Sequence, residues 1–180
     1  MARRLRNWID SFENYTSGLP SPDLFRTWGG IACVAGALER KVWVRTNMGE
    51  LHPNLYTVLV GPAGVGKTVV TKTVSALWAG LDEHHLASAS VSKASLMDEL
   101  RGAERKGPIG GGGFGFYNFN SLKILANELG VLIPGYDNDF MNVLTDLYDG
   151  HGYSERRRSK DLHFKIEKPQ LNLLAATTPS

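Results

Sequence analysis

Gly61, Gly66, Lys67 and Thr68 stand at the fixed places of the pattern G-x-x-x-x-G-K-[ST], inside the stretch LYTVLVGPAGVGKTVVTKTV from Leu55 to Val74. These residue types at this spacing suit one task, the cradling of a polyphosphate. Glycines let the backbone curl so that successive N–H groups point at phosphate oxygens, at the positive end of the following helix. Lys67 adds a mobile cation for the β and γ phosphates, and the Thr68 hydroxyl suits a bridging Mg²⁺. The expected contact run is therefore Gly61, Pro62, Ala63, Gly64, Val65, Gly66, Lys67, Thr68 and Val69, with ATP and Mg²⁺ as cofactors.

A second candidate lies downstream. Leu122, Ile124, Leu125 and Ala126 read as a short apolar strand, from about Ser121, that ends in Asn127 and Glu128. An apolar strand ending in an acid after a P-loop is the expected form of the Walker B motif. Asn127 occupies the place where an Asp usually orders the Mg²⁺ shell, and an amide lacks the negative charge of a carboxylate. Glu128 is left as the water-activating base, with Asn127 or Glu128 meeting the metal through water. The same acid also fits a plain strand-end cap.

The elements that must hold these residues can be read from periodicity. Val58, Leu59 and Val60 run into the loop as a buried strand; Val69, Val70, Val74 and Leu77 give the next helix an apolar face. Leu5, Trp8, Ile9, Phe12 and Tyr15 form a first helical stripe, and Leu24 to Leu38 a second, with Ser21 as its N-cap. Lys41 to Thr46 alternates and Asn47 to Gly49 turns, which predicts a hairpin. Ser92 or Ser95 caps a helix, with Ser95 and Asp98 at capping-box spacing, that breaks over Gly102 to Gly107. Pro108 to Gly115 reads as a flexible surface stretch, and Phe114, Phe116, Tyr117 and Phe119 behind it suit either base stacking or burial in the next strand. Asp137 caps a helix to Tyr148, Leu162 to Ile166 alternates as a hairpin strand, and Leu171 to Ala176 is a buried strand.

The predicted fold class is α/β, a three-layer P-loop core with a mainly parallel sheet. Residues 1–50 form a helical lead-in with a hairpin and residues 51–180 the core. With 42% apolar and 21% charged residues and a net charge of +2, the 180-residue chain carries no global basic field that demands nucleic acid. Local basic groups remain, at Arg3, Arg4 and Arg6 and at Arg156, Arg157, Arg158 and Lys160. His84 and His85 are expected to face solvent as a pair without metal-ligand spacing. The lone Cys33 reads as a core thiol in a reducing compartment; no apolar run is long enough for a bilayer, so the expected location is the cytoplasm, with no membrane partner.

Taken together, LPSPDLFRTWGGIACVAGALERKVW, PNLYTVLVGPAGVGKT, SLKILANELGVLIPG, LTDLYDG and NLLAATTPS resemble the phage and prophage P-loop ATPases described as primase-helicase-like. The resemblance implies a RecA/AAA+ type ATPase core with Glu128 as catalytic acid and Thr178, at the end of the AATT strand, as γ-phosphate sensor. It implies phage DNA replication as the setting, single-stranded DNA as a partner and a homo-oligomer for the full-length protein. In such a core another helix and strand would lie beyond the P-loop strand, with an arginine finger, so the expectation is a core incomplete after Ser180. Two alternatives stay open, a small-molecule or nucleotide kinase with Arg156 to Arg158 on a clamping lid, and a nucleotide-binding module that does not hydrolyse.

Overall fold

The computed structural model describes residues 7–88, 91–109, 115–157 and 162–179, an α/β chain built round a mostly parallel five-stranded sheet. The expectations placed on Arg3, Arg4, Arg6, Phe114, Arg158, Lys160 and Ser180, and on the side chains of Arg156 and Arg157, lie outside the described residues.

Helix α1 (Trp8–Tyr15) begins where the Asn7 side chain accepts from the Ile9 N–H; α2 (Asp23–Leu38) follows a turn. Pro22 rather than Ser21 holds the N-cap position of α2, and the Ser21 carbonyl accepts from Arg26 Nη1 at 2.6 Å. The expected hairpin is present as β1 (Val44–Thr46) and β2 (Gly49–Leu51). Then come β3 (Tyr56–Val60), α3 (Lys67–Ala79), β4 (His85–Leu86), α4 (Lys93–Gly102), β5 (Glu104–Pro108) and β6 (Phe116–Ala126). The chain continues through α5 (Leu129–Leu132), α6 (Asn138–Tyr148), β7 (Tyr153–Arg157), β8 (Leu162–Ile166) and β9 (Pro169–Thr177). The capping box of α4 uses Ser92 and Ser95, one turn earlier than the Ser95 and Asp98 pair.

Strand order is β3-β9-β6-β4, all parallel, with β5 antiparallel to the first half of β6. Val60 pairs with Thr177 and Ala126 with Ala175, so the carboxyl ends of β3, β9 and β6 lie together. At sheet spacing the outer two of these ends are about 10 Å apart. Among the described residues β3 is paired on one side only, and Val58 and Val60 remain 37% and 53% exposed.

One segment differs from the sequence expectation. Residues 104–108, read as part of a helix break and the start of a glycine loop, form β5 and extend β6 back from Ser121 to Phe116. Alternation explains it: Ala103, Arg105 and Gly107 are buried between exposed neighbours, and Phe119 opposite is 1% exposed. The aromatics divide accordingly, with Phe116 exposed, Tyr117 half-buried and Phe119 in the core.

Helices cover both faces of the sheet, compatible with a three-layer fold. Along β9, Leu171, Leu173 and Ala175 join the cluster under α4, α5 and α6, while Leu174 and Ala176 join the one under α1, α2 and α3. A Cβ on Gly36 would lie 2.7 Å from Trp78 Cζ2, so only glycine lets α2 approach α3 this closely. Trp78 Nε1 there donates to the Cys33 carbonyl at 3.0 Å, and burial pushes the Cys33 thiol up to about 12.

Below the end of α2 the apolar face is replaced by charge. Glu39 and Lys123 are both fully buried, with Lys123 Nζ 3.4 Å from Glu39 Oε1. Arg105 Nε and Lys41 Nζ reach Glu39 Oε2 at 3.2 and 3.1 Å, and His84 Nδ1 lies 3.4 Å from Oε1. His84 and His85 are therefore not a solvent-facing pair: the His84 side chain is 8% exposed beside Glu39, and His85 is half-buried in β4. Among the described residues no helix is long and apolar enough to cross a membrane, and no three His, Cys, Asp or Glu side chains gather for a metal ion.

Candidate functional site

The run from Gly61 to Gly66 links the carboxyl end of β3 to the first residue of α3. Gly64 and Gly66 have φ of +79° and +89°, the left-handed region that glycine occupies at low cost. Gly66 is the N-cap of α3 and no side chain caps that end; the Val69 N–H turns back to the Gly66 carbonyl at 3.2 Å, which leaves the N–H groups of Lys67 and Thr68 for an anion. Lys67 Nζ donates to the carbonyls of Gly61 and, at 2.7 Å, Pro62, which holds the ammonium against the inside of the loop. Pro62, Ala63, Gly64 and Thr68 are exposed, while Gly61, Lys67 and the buried face of α3 with Val70 and Val74 lock the loop to the core. Val65 and Val69 are half-buried beside them.

The lead-in helices reach this loop directly. A Cβ on Gly66 would come within 1.9 Å of the Pro20 carbonyl oxygen, and one on Gly61 within 3.1 Å of Phe25 Cζ. The turn between α1 and α2 thus closes over the loop from one side. Ser21 Oγ and Arg26 Nε are buried next to this contact without a hydrogen-bond partner. Neither residue stands out at this loop in the sequence, where Ser21 reads as a helix cap and Arg26 belongs to no motif.

From the other side come the ends of β6 and β9. The Thr71 hydroxyl, one turn into α3, donates to Asn127 Oδ1 at 2.7 Å and to the Thr68 carbonyl at 3.1 Å. That bond puts the residue in the expected metal-ordering place beside the first turn of α3. Glu128 follows it and is exposed. The Thr177 hydroxyl donates to Glu128 Oε1 at 3.2 Å, and the Thr177 carbonyl accepts from the Gly61 N–H at 3.3 Å. Thr178, the sensor position implied by the resemblance, follows the strand and is exposed; the hydroxyl that reaches the acid belongs to Thr177. A parallel pair of neighbouring strands explains the difference, since Thr177 is the last residue in register with β3.

The arrangement therefore joins a helix N-terminus, a lysine, a carboxylate and three hydroxyls at one end of a parallel sheet, the place where open α/β sheets bind ligands. Its weak point is charge, because Asn127 contributes a neutral oxygen already engaged by Thr71. Compared with protein-family models and with curated proteins, the chain matches none of them.

Proposed function

We propose that the chain is an ATP-binding P-loop NTPase core that hydrolyses ATP and acts on DNA, in the manner of the phage helicase-like ATPases it resembles. The observation that carries this reading is the fold of Gly61 to Thr68 itself, a strand, a turn with two left-handed glycines and an uncapped helix start with Lys67 inside the loop. In it the backbone N–H groups of the loop bind and orient the phosphates, and Lys67 neutralises the outermost ones. Bound Mg²⁺ would be held by the Thr68 hydroxyl, with Asn127 or Glu128 reaching it through water, and would neutralise charge shared between the β and γ phosphates. Glu128, oriented by Thr177, takes the proton of the attacking water.

One observation favours a second reading, a module that binds nucleotide without hydrolysing it: the metal-ordering place is an amide whose oxygen accepts from Thr71. Single-turnover hydrolysis by the wild-type chain and by Glu128→Gln separates the two. The ATPase reading expects turnover in the wild type and its loss with ATP binding retained in the variant. Tight ATP binding without any wild-type turnover would favour the binding module.

A further inference from the structure

A cleft of about 570 Å³ opens at the far end of the sheet, lined by Arg40, Trp43, Arg45, Glu50, Tyr117 and Lys168 among others. Tyr117 is the second residue of β6 and Asn127 follows its last, so about ten strand residues, roughly 33 Å, separate this cleft from the P-loop end. A nucleotide held by Lys67 cannot fill it.

The cleft has an excess of positive charge. Arg40 comes from the turn after α2, Arg45 from β1 and Lys168 from the turn before β9, against the one carboxylate of Glu50. His52, also in the lining, lies 3.9 Å from Glu50, but burial and the nearby Arg40 guanidinium hold it below the usual histidine range. Arg40 is fixed in place: its Nη1 donates to the carbonyls of Gly150 and Pro169 at 3.3 and 3.0 Å, and its own carbonyl accepts from the Tyr117 hydroxyl. Its Nε is buried without a partner, so this cation is only partly compensated from within the chain. Arg45 and Lys168 are exposed, and Lys168 Nζ sits 4.3 Å over the Tyr117 ring.

An aromatic surface lies among these cations. Trp43 is half-buried, and its ring is tilted by 49° to the His52 ring at a centroid distance of 6.5 Å, so the two do not stack. Three cations drawn from three separate segments thus share the cleft lining with an indole. They suit a charged chain that carries planar groups, the combination by which proteins hold unpaired bases and their backbone.

We propose that this cleft binds single-stranded nucleic acid, with a base stacked on Trp43 and flanking phosphates on Arg45 and Lys168. The proposal rests on the DNA-directed half of the function given above and is independent of hydrolysis.

The test is fluorescence anisotropy of a labelled oligothymidylate across a salt series, on the wild type, Trp43→Ala, Trp43→Phe and the double variant Arg45→Glu with Lys168→Glu, with ATP binding measured in parallel. The expected result is a loss of roughly 10-fold or more for Trp43→Ala, partly recovered in Trp43→Phe. The double variant should bind more weakly still, with a salt slope lower by about one for each cation removed. ATP binding should stay unchanged in all of them, which also reports that they are folded. Oligonucleotide binding untouched by these substitutions would overturn the site, as would equal binding of a duplex or full competition by thymidine monophosphate. A wild type that binds ATP but no oligonucleotide would overturn this site and leave the P-loop reading standing. Cleft-dependent oligonucleotide binding without ATP binding would do the reverse.

Discussion

Thr177 donates its hydroxyl to Glu128 Oε1 at 3.2 Å while its carbonyl accepts from the N–H of Gly61 at 3.3 Å, so a single residue touches both the candidate acid and the entry to the glycine loop. Removing that hydroxyl takes a hydrogen bond from a carboxylate and leaves the backbone link intact. Thr177→Val should therefore lower turnover about 10-fold or more, on the scale of one hydrogen bond to a charged group, with little change in ATP affinity. Thr178→Val should have a much smaller effect. Steady-state ATPase rates on both decide it, and a larger loss in Thr178→Val would return the sensor role to the position that the resemblance implied.

Gly66 and Gly64 share a positive φ but not their surroundings. A Cβ on Gly66 would collide with the Pro20 carbonyl at 1.9 Å, whereas one on Gly64 meets nothing within 4 Å. Gly64→Ala should cost only the left-handed backbone, about 1–2 kcal/mol. Gly66→Ala carries the same backbone cost and must also push the turn between α1 and α2 away from the loop. The expected outcome is a clearly lower denaturant midpoint and lost ATP binding for Gly66→Ala, with Gly64→Ala closer to wild type. Equal midpoints would show that the lead-in helices do not brace the loop.

Glu39 is the only carboxylate within salt-bridge distance of the fully buried Lys123 among the described residues. Burial raises the Glu39 carboxyl, but Lys123, His84, Lys41 and Arg105 together hold it below its ordinary value. Glu39→Gln leaves Lys123 buried and unpaired, a change that costs about 3–5 kcal/mol in such sites. Burial, and next the Lys123 charge, lower His84 to about 4 from the usual 6.5, so in that interval the unfolded chain binds a proton that the folded chain does not. Stability should accordingly fall as pH drops from 6.5 towards 4, and His84→Gln should flatten that part of the profile. Urea midpoints across the interval check it; identical slopes in wild type and variant would contradict it.

The glycine turn between strand and helix, the two lead-in helices, the first hairpin and three of the parallel strands were legible because each rests on a local signal: Gly61 to Thr68 on fixed spacing, Val58 to Val60 and Leu171 to Ala176 on apolar runs. Strand β5 was not, since Glu104, Arg105 and Lys106 carry no apolar alternation; Arg105 is buried by an ion pair with Glu39, a partner 66 residues away. The same long-range charge hid His84 and Lys123. At the site, Lys67 and Glu128 were candidates from motif and strand end. Thr177, Thr71, Ser21 and Arg26 were not, because their roles depend on which strands are neighbours and on how the α1–α2 turn folds over Gly66.

Every proposed role of Thr68, Glu128 and Thr177 requires that the loop from Gly61 to Val69 bind a nucleoside triphosphate through Lys67. Calorimetric titration of the wild type and Lys67→Ala with ATP and Mg²⁺, on protein shown to be equally folded by circular dichroism, tests it most directly. The expected result is saturable one-site binding by the wild type, lost or weakened about 10-fold or more in Lys67→Ala, on the scale of one charge-assisted contact. No binding by the folded wild type, or equal binding by both proteins, would contradict it.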